Sequence, residues 1–171
     1  MSRYLGALAL AALALAPSVV SSKQMPLSMI GVGPRGYDFM IGSWTCRNTV
    51  PTHLSGPPTA RFTISRSVKG AYYVHGWAMN YDTSSYFLYS SKTRMWFGPT
   101  AYADGSYNYE STRQTGAKTV WTGTLFDATS GQTTPIRDTY TMPNLTTQID
   151  VTQIQSGGTW RTVNNSTCTK S

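Results

Sequence analysis

Met95-Trp-Phe-Gly-Pro-Thr-Ala-Tyr102, Ala103-Asp104-Gly105-Ser106 and Tyr107-Asn-Tyr-Glu-Ser-Thr-Arg113 read as strand, turn and strand. Asp-Gly favours a two-residue hairpin turn, because both central positions must accept a positive φ. The aromatic and Thr-rich flanks suit a pleated, half-buried surface. No window here sustains a 3.6-residue apolar period. This hairpin decides the fold, because the same unit recurs along the chain in both directions.

Upstream, Arg61–Ser67 and Ala71–Met79 form a hairpin about Lys69-Gly70, and Ser43–Asn48 precedes them. Asp82-Thr83-Ser84 leads into Tyr86–Ser90, and Lys92-Thr93 into Met95. Downstream, Thr119–Asp127, Thr134–Met142, Thr146–Gln155 and Thr159–Thr169 follow turn signals at Gly116, Gly131, Pro143-Asn144 and Gly157-Gly158. About ten strands at 10–13-residue spacing, joined by tight turns, predict an all-β, antiparallel up-and-down meander. Tyr37–Ile41 is expected to add one short helical turn before Gly42. The Pro-rich connection Val50–Ala60 is the one loop long enough to cover a barrel mouth.

The composition agrees. Of 171 residues only 12% are charged, about half the usual share, which excludes coiled coils and charge-rich disorder. The net charge of +7 comes from 14 Lys+Arg scattered singly, a pattern that disfavours nucleic-acid binding. Met1–Ser22 reads as a secretory signal peptide: Arg3, an apolar run from Tyr4 to Ala16, then Pro17 and small residues. Residues 23–36 read as an extended leader and 37–171 as the barrel. The expected location is secreted or periplasmic, with a chain soluble rather than membrane-spanning. A transmembrane barrel is disfavoured because the strands lack a consistent apolar outward band. Oligomeric state is left open.

Cys46 and Cys168 are the only cysteines, and in an exported chain two cysteines pair. Such a bridge makes the first and last strands neighbours, as closure of a sheet into a barrel requires.

Phe39-Met40-Ile41-Gly42-Ser43-Trp44 places an apolar turn and Gly-x-Trp at the start of the first strand. That opening resembles calycin-type barrels, among them lipocalins, avidins, fatty-acid-binding proteins and nitrobindin-like barrels. It is most similar to secreted bacterial nitrobindin-like or lipocalin-like barrels of unknown function. The resemblance covers 37–169 and implies that Gly42 and Trp44 are structural, with Trp44 plugging the barrel bottom. It also implies that a late-strand Arg, here Arg161, packs over Trp44. Haem-binding relatives use a late-strand His. Here the only histidines are His53 and His75, so haem is disfavoured and no cofactor is expected.

Strand alternation puts Tyr73, His75 and Trp77 on one face, and Tyr72, Val74 and Gly76 on the other. Tyr86, Trp96, Tyr107 and Tyr109 make the middle strands aromatic. Arg137 and Asp138 lie on opposite faces of one strand, and whichever points inward needs a partner. Glu110, the only Glu, is mid-strand, where an acid is unexpected. The candidate ligand contacts are Tyr73, His75, Trp77, Tyr86, Trp96, Tyr107, Tyr109 and Arg137, for a small apolar or aromatic molecule. The sequence does not fix which face points inward. Two other readings stand beside binding: a filled barrel acting through its surface, and an enzyme built on His75. No catalytic residue is assigned, as nucleophile-elbow, zinc-protease and phosphate-loop motifs are absent.

Overall fold

The computed structural model describes residues 25–50, 57–68, 71–78 and 81–171. The expected signal peptide, His53 and the middle of the Pro-rich connection lie outside these residues. Ten strands follow one another: β1 Gly42–Asn48, β2 Thr59–Arg66, β3 Ala71–Ala78, β4 Tyr81–Ser90, β5 Met95–Tyr102, β6 Tyr107–Thr112, β7 Lys118–Asp127, β8 Gln132–Asn144, β9 Thr147–Ser156 and β10 Thr159–Lys170. Each pairs antiparallel with its sequence neighbour, and β1 pairs with β10, so the sheet closes into a barrel. Among the described residues no helix is long and apolar enough to cross a membrane.

Two stretches read as turns belong to strands. One is Pro143-Asn144, which ends β8. Asp82-Thr83-Ser84, read as a turn, belongs to β4 and pairs with Trp77, Gly76 and His75 of β3. Thr83 sits against Gly76, where an added Cβ would lie 2.4 Å from its hydroxyl oxygen, so the missing side chain lets the two strands approach.

Cys46 and Cys168 face each other across the β1–β10 seam, with sulfurs at the bonding distance of 2.06 Å. The neighbouring register Trp44↔Lys170 and Asn48↔Ser166 extends the seam in both directions.

From residue 25 the segment before β1 is a run of turns: the stretch read as an extended leader carries a 3-10 turn at Leu27–Met29, and the helical turn expected at Tyr37–Ile41 is a 3-10 turn at Asp38–Met40. This segment floors the barrel. Ile30, Tyr37 and Met40 are buried against Trp44, Tyr72, Trp96, Trp121 and Met142. Three donors fix it in place: Trp44 Nε1 to the Met40 carbonyl at 2.8 Å, Trp96 Nε1 to Gly31 at 2.7 Å, and Lys170 Nζ to Phe39 at 2.6 Å. Buried Trp is favourable only when its N–H finds such an acceptor. Below the floor, Arg35 Nε donates to Asp38 at 2.7 Å, and Tyr72 and Arg66 donate to the same carboxylate.

Trp44 has the structural position expected of it, 1% exposed and stacked on Phe62. Gly42 beside it has φ +131°, a conformation side chains rarely adopt, and an added Cβ would sit 3.1 Å from Lys170 Cε. Arg161 does not pack over Trp44. It is exposed and in register with Ile154 near the β9–β10 turn, nine positions from Lys170 on β10, so roughly 30 Å away along the strand. The cation in register with Trp44 is Lys170.

Candidate functional site

The inward face of each strand follows from the register. It is Val74 and Gly76 on β3, Ser85 and Phe87 on β4, Gly98 and Thr100 on β5, and Asn108 and Glu110 on β6. Trp121 on β7, Asp138 and Tyr140 on β8, Gln148 and Asp150 on β9, and Asn164 and Ser166 on β10 complete it. Between the floor and the opposite end these positions enclose a cavity of about 210 Å3. Its volume survives because β3 and β5 present Gly76 and Gly98 inward, and the Trp121 ring leans over Gly98, 3.1 Å from where a Cβ would be.

The lining is two-sided. Met40, Phe62, Ile64, Phe87, Trp121 and the Cys46–Cys168 bridge make an apolar half next to the floor. Carboxyl and amide groups of β6, β8, β9 and β10 make the other. Asn108 Nδ2 donates to Glu110 Oε2 at 3.3 Å, and Asn164 Nδ2 to Asp150 Oδ2 at 2.8 Å. Tyr140 OH donates to Asp138 Oδ2 at 3.4 Å. Burial holds the Glu110, Asp138 and Asp150 carboxyls above their ordinary range. The charge of Asp138 raises Glu110 and Asp150 further, while hydrogen bonds from Thr152 and Tyr140 draw Asp138 part of the way back.

Glu110 Oε1, Asp138 Oδ1, Asp150 Oδ1, Asn108 Oδ1, Gln148 Oε1 and Asn164 Oδ1 are shielded from solvent yet accept no hydrogen bond. A buried polar atom left so costs about 1–3 kcal/mol. The total is ordinary for a chain of this size, but six of these atoms share one wall, so their cost is concentrated at the cavity.

The sequence candidates are mostly elsewhere. Tyr73, His75, Tyr86, Tyr107, Tyr109 and Arg137 lie on the outer wall, because the strand face opposite theirs lines the cavity. Tyr86, Tyr107 and Tyr109 are 39%, 55% and 51% exposed. There they form cross-strand pairs: Tyr73 with Tyr86 at 5.1 Å, Tyr109 with Phe97 at 6.1 Å, Tyr107 with Phe126 at 5.2 Å. Such pairs stabilise a sheet without a ligand. Arg137 covers the Trp160 ring at 4.3 Å and donates to Gln153 at 2.8 Å. Trp96 points inward but belongs to the floor, 1% exposed and in contact with Tyr37. The side chain of Trp77 lies outside the described set.

His75 does meet an acid: its Nε2 lies 2.9 Å from Asp82 Oδ1. The pair sits on the convex outer wall, with side chains 43% and 70% exposed, where water competes for every proton.

The sequence flagged Glu110 and Asp138 as misplaced acids without bringing them together, and it passed over Asn108, Tyr140, Gln148, Asp150 and Asn164. The available signal was that Glu110, Asp138 and Asp150 are all mid-strand, whereas Asp82, Asp104 and Asp127 lie at strand ends or turns. No protein-family model matches the chain, and no curated protein matches it.

Proposed function

We propose that this chain is an exported, non-catalytic barrel that holds a small molecule in its interior. One observation carries the reading: a cavity of about 210 Å3 whose wall keeps six buried acceptors without donors. A barrel that worked only through its surface would gain stability by filling that space with apolar side chains. The volume is below the ~300 Å3 at which pockets for drug-sized ligands begin, so the ligand is compact rather than a long lipid chain. An apolar or aromatic body fits against Phe62, Phe87 and Trp121. The Gly42-Ser-Trp44 opening before a ten-stranded closed barrel supports kinship with calycin-type barrels. The paired cysteines support an oxidising compartment.

The test is mass spectrometry of the chain produced by export, run native and denatured. A native mass exceeding the denatured mass by one discrete small molecule is expected. Loss of that difference in Phe87→Trp, which fills the cavity, would place the molecule inside. Equal native and denatured masses, with no small molecule shifting the melting temperature, would return the filled-barrel reading.

A further inference from the structure

Resting on the reading that the cavity holds a small molecule, we infer that the ligand is a compact organic cation. It is an amine or amidine with an apolar or aromatic body, and its charged end lies among Glu110, Asp138 and Asp150.

The first argument is the one-sidedness of the unmet hydrogen-bonding capacity. Asn108, Gln148 and Asn164 are 3%, 5% and 9% exposed, and each leaves its amide oxygen without a donor. For Asn108 and Asn164 this orientation is enforced, since their nitrogens are committed to Glu110 and Asp150. Three carboxyl oxygens are unmet beside them. Among the solvent-shielded, unmet atoms at the cavity the one donor is the Trp121 indole N–H, turned toward the Tyr37 hydroxyl at the floor. A ligand that answers six acceptors must bring several N–H donors on one small group, as ammonium and amidinium do.

The second argument is charge. Three of the chain's 7 Asp+Glu line this cavity. Buried acids are ordinarily answered by Lys or Arg. Among the described residues the single Lys or Arg at the lining is Arg61, which is exposed near the end of β2 away from the floor. The interior offers carboxyl groups that give up their protons most readily beside a positive charge, and no lysine or arginine among the described residues is buried with them, so the missing partner is a cation from solution.

The third argument is the aromatic surround. Trp121 and Tyr140 stand perpendicular, at 89° with centroids 6.2 Å apart, and Phe87 lies 5.5 Å from Trp121. Ring faces beside carboxylates attract an organic cation twice, by charge and through the ring quadrupole. A metal ion fits less well: among the described residues no three His, Cys, Asp or Glu side chains converge on one point.

The experiment uses the full chain, produced by export and titrated calorimetrically at neutral pH with 2-phenylethylamine, 2-phenylethanol and phenylacetate. These share one body and differ in the charge of the end group. Cyclohexylmethylamine and cyclohexylmethanol repeat the comparison with an aliphatic body. The expected result is that the amine binds at least tenfold tighter than its alcohol and that phenylacetate gives no binding. Asp138→Asn and Asp150→Asn should each cut the preference below threefold, with an unchanged far-ultraviolet circular dichroism spectrum reporting an intact barrel. Alcohol binding as tight as amine binding in the wild-type chain overturns the cation and leaves the small-molecule reading standing. Displacement of the amine by excess Ca2+ overturns it in favour of a metal. No binding of any probe, together with equal native and denatured masses, overturns both readings.

Discussion

The charge of Asp138 reaches the buried Glu110 carboxyl although a whole strand, β7, separates β6 from β8. The inward position of β7 in register with Glu110 is Gly123, which has no side chain to stand between them. Two buried carboxyls this close resist carrying two charges at once, so the folded barrel holds their protons more tightly than the unfolded chain does.

Stability should therefore depend on pH in an unusual direction. Glu110, Asp138 and Asp150 are raised from ordinary values of 4.5 and 3.8. A carboxyl raised on folding contributes stability that is full below its unfolded value and lost as pH climbs through its folded value. Asp38 acts oppositely. Burial would raise it, but hydrogen bonds from Tyr72 and Arg35 and the charge of Arg66 hold it below 3.8, so its contribution is lost as pH falls further. The melting temperature should peak near the ordinary carboxyl range and decline as pH rises above it. Glu110→Gln and Asp138→Asn should flatten that decline, as circular dichroism melts across pH would show.

Gly123→Ala should be among the most damaging single-methyl changes. The new Cβ would stand 1.8 Å from the Tyr109 carbonyl oxygen, a backbone atom with nowhere to go. A loss of about 2–3 kcal/mol is expected in urea unfolding, at the upper end of overpacking costs. Gly131→Ala tests a different mechanism. That glycine has open space around it but φ +69°, so its cost should be smaller and come from the backbone alone.

Reducing the Cys46–Cys168 bridge should lower stability by at most about 4–5 kcal/mol, the chain-entropy value for a loop of this size. The loss in unfolding midpoint on adding reductant and the loss in a Cys46→Ala, Cys168→Ala double variant should agree. A larger loss on reduction than in the double variant would point to a cost of the buried thiols themselves.

The outer aromatics should be separable from the cavity. Tyr107→Ser with Tyr109→Ser removes two cross-strand pairs and should cost about 0.5–1 kcal/mol for each. Binding of a cavity probe should be unchanged. Trp121→Ala, by contrast, should alter probe affinity at least tenfold. Calorimetry on the two variants distinguishes wall from interior.

Trp44→Phe keeps a ring against Phe62 but leaves the Met40 carbonyl without its 2.8 Å donor. The expected cost is about 1–2 kcal/mol in thermal or chemical unfolding.

The strands were legible in the sequence because turn chemistry is local. Asp104-Gly105, Gly131 and Gly157-Gly158 each mark a reversal that needs no knowledge of the rest of the chain. The seam was legible because two lone cysteines had only each other. The candidate site was harder. Alternation divides a strand into two faces but does not say which is inside, and here the larger aromatic face is outside. Tyr73, Tyr86, Tyr107 and Tyr109 make a broad, ring-paired outer wall, while Val74, Gly76, Gly98 and Thr100 leave room within. The Glu110–Asp138 contact was invisible for another reason. It is a diagonal across an intervening strand, which sequence spacing does not encode.

Closure at the β1–β10 seam also orders events in time. Cys46 and Cys168 are 122 residues apart, and between them lie eight of the ten strands. A meander can add each hairpin as it emerges, but its first strand keeps an open edge until its last partner arrives. Through that interval Cys46 carries an unpaired thiol beside an unsatisfied strand. Closure of the sheet is thus concentrated in the twelve residues of β10, Thr159–Lys170. A chain truncated at Gly158 would lose β10, and with it the edge partner of β1, the second thiol and the lysine that holds the floor.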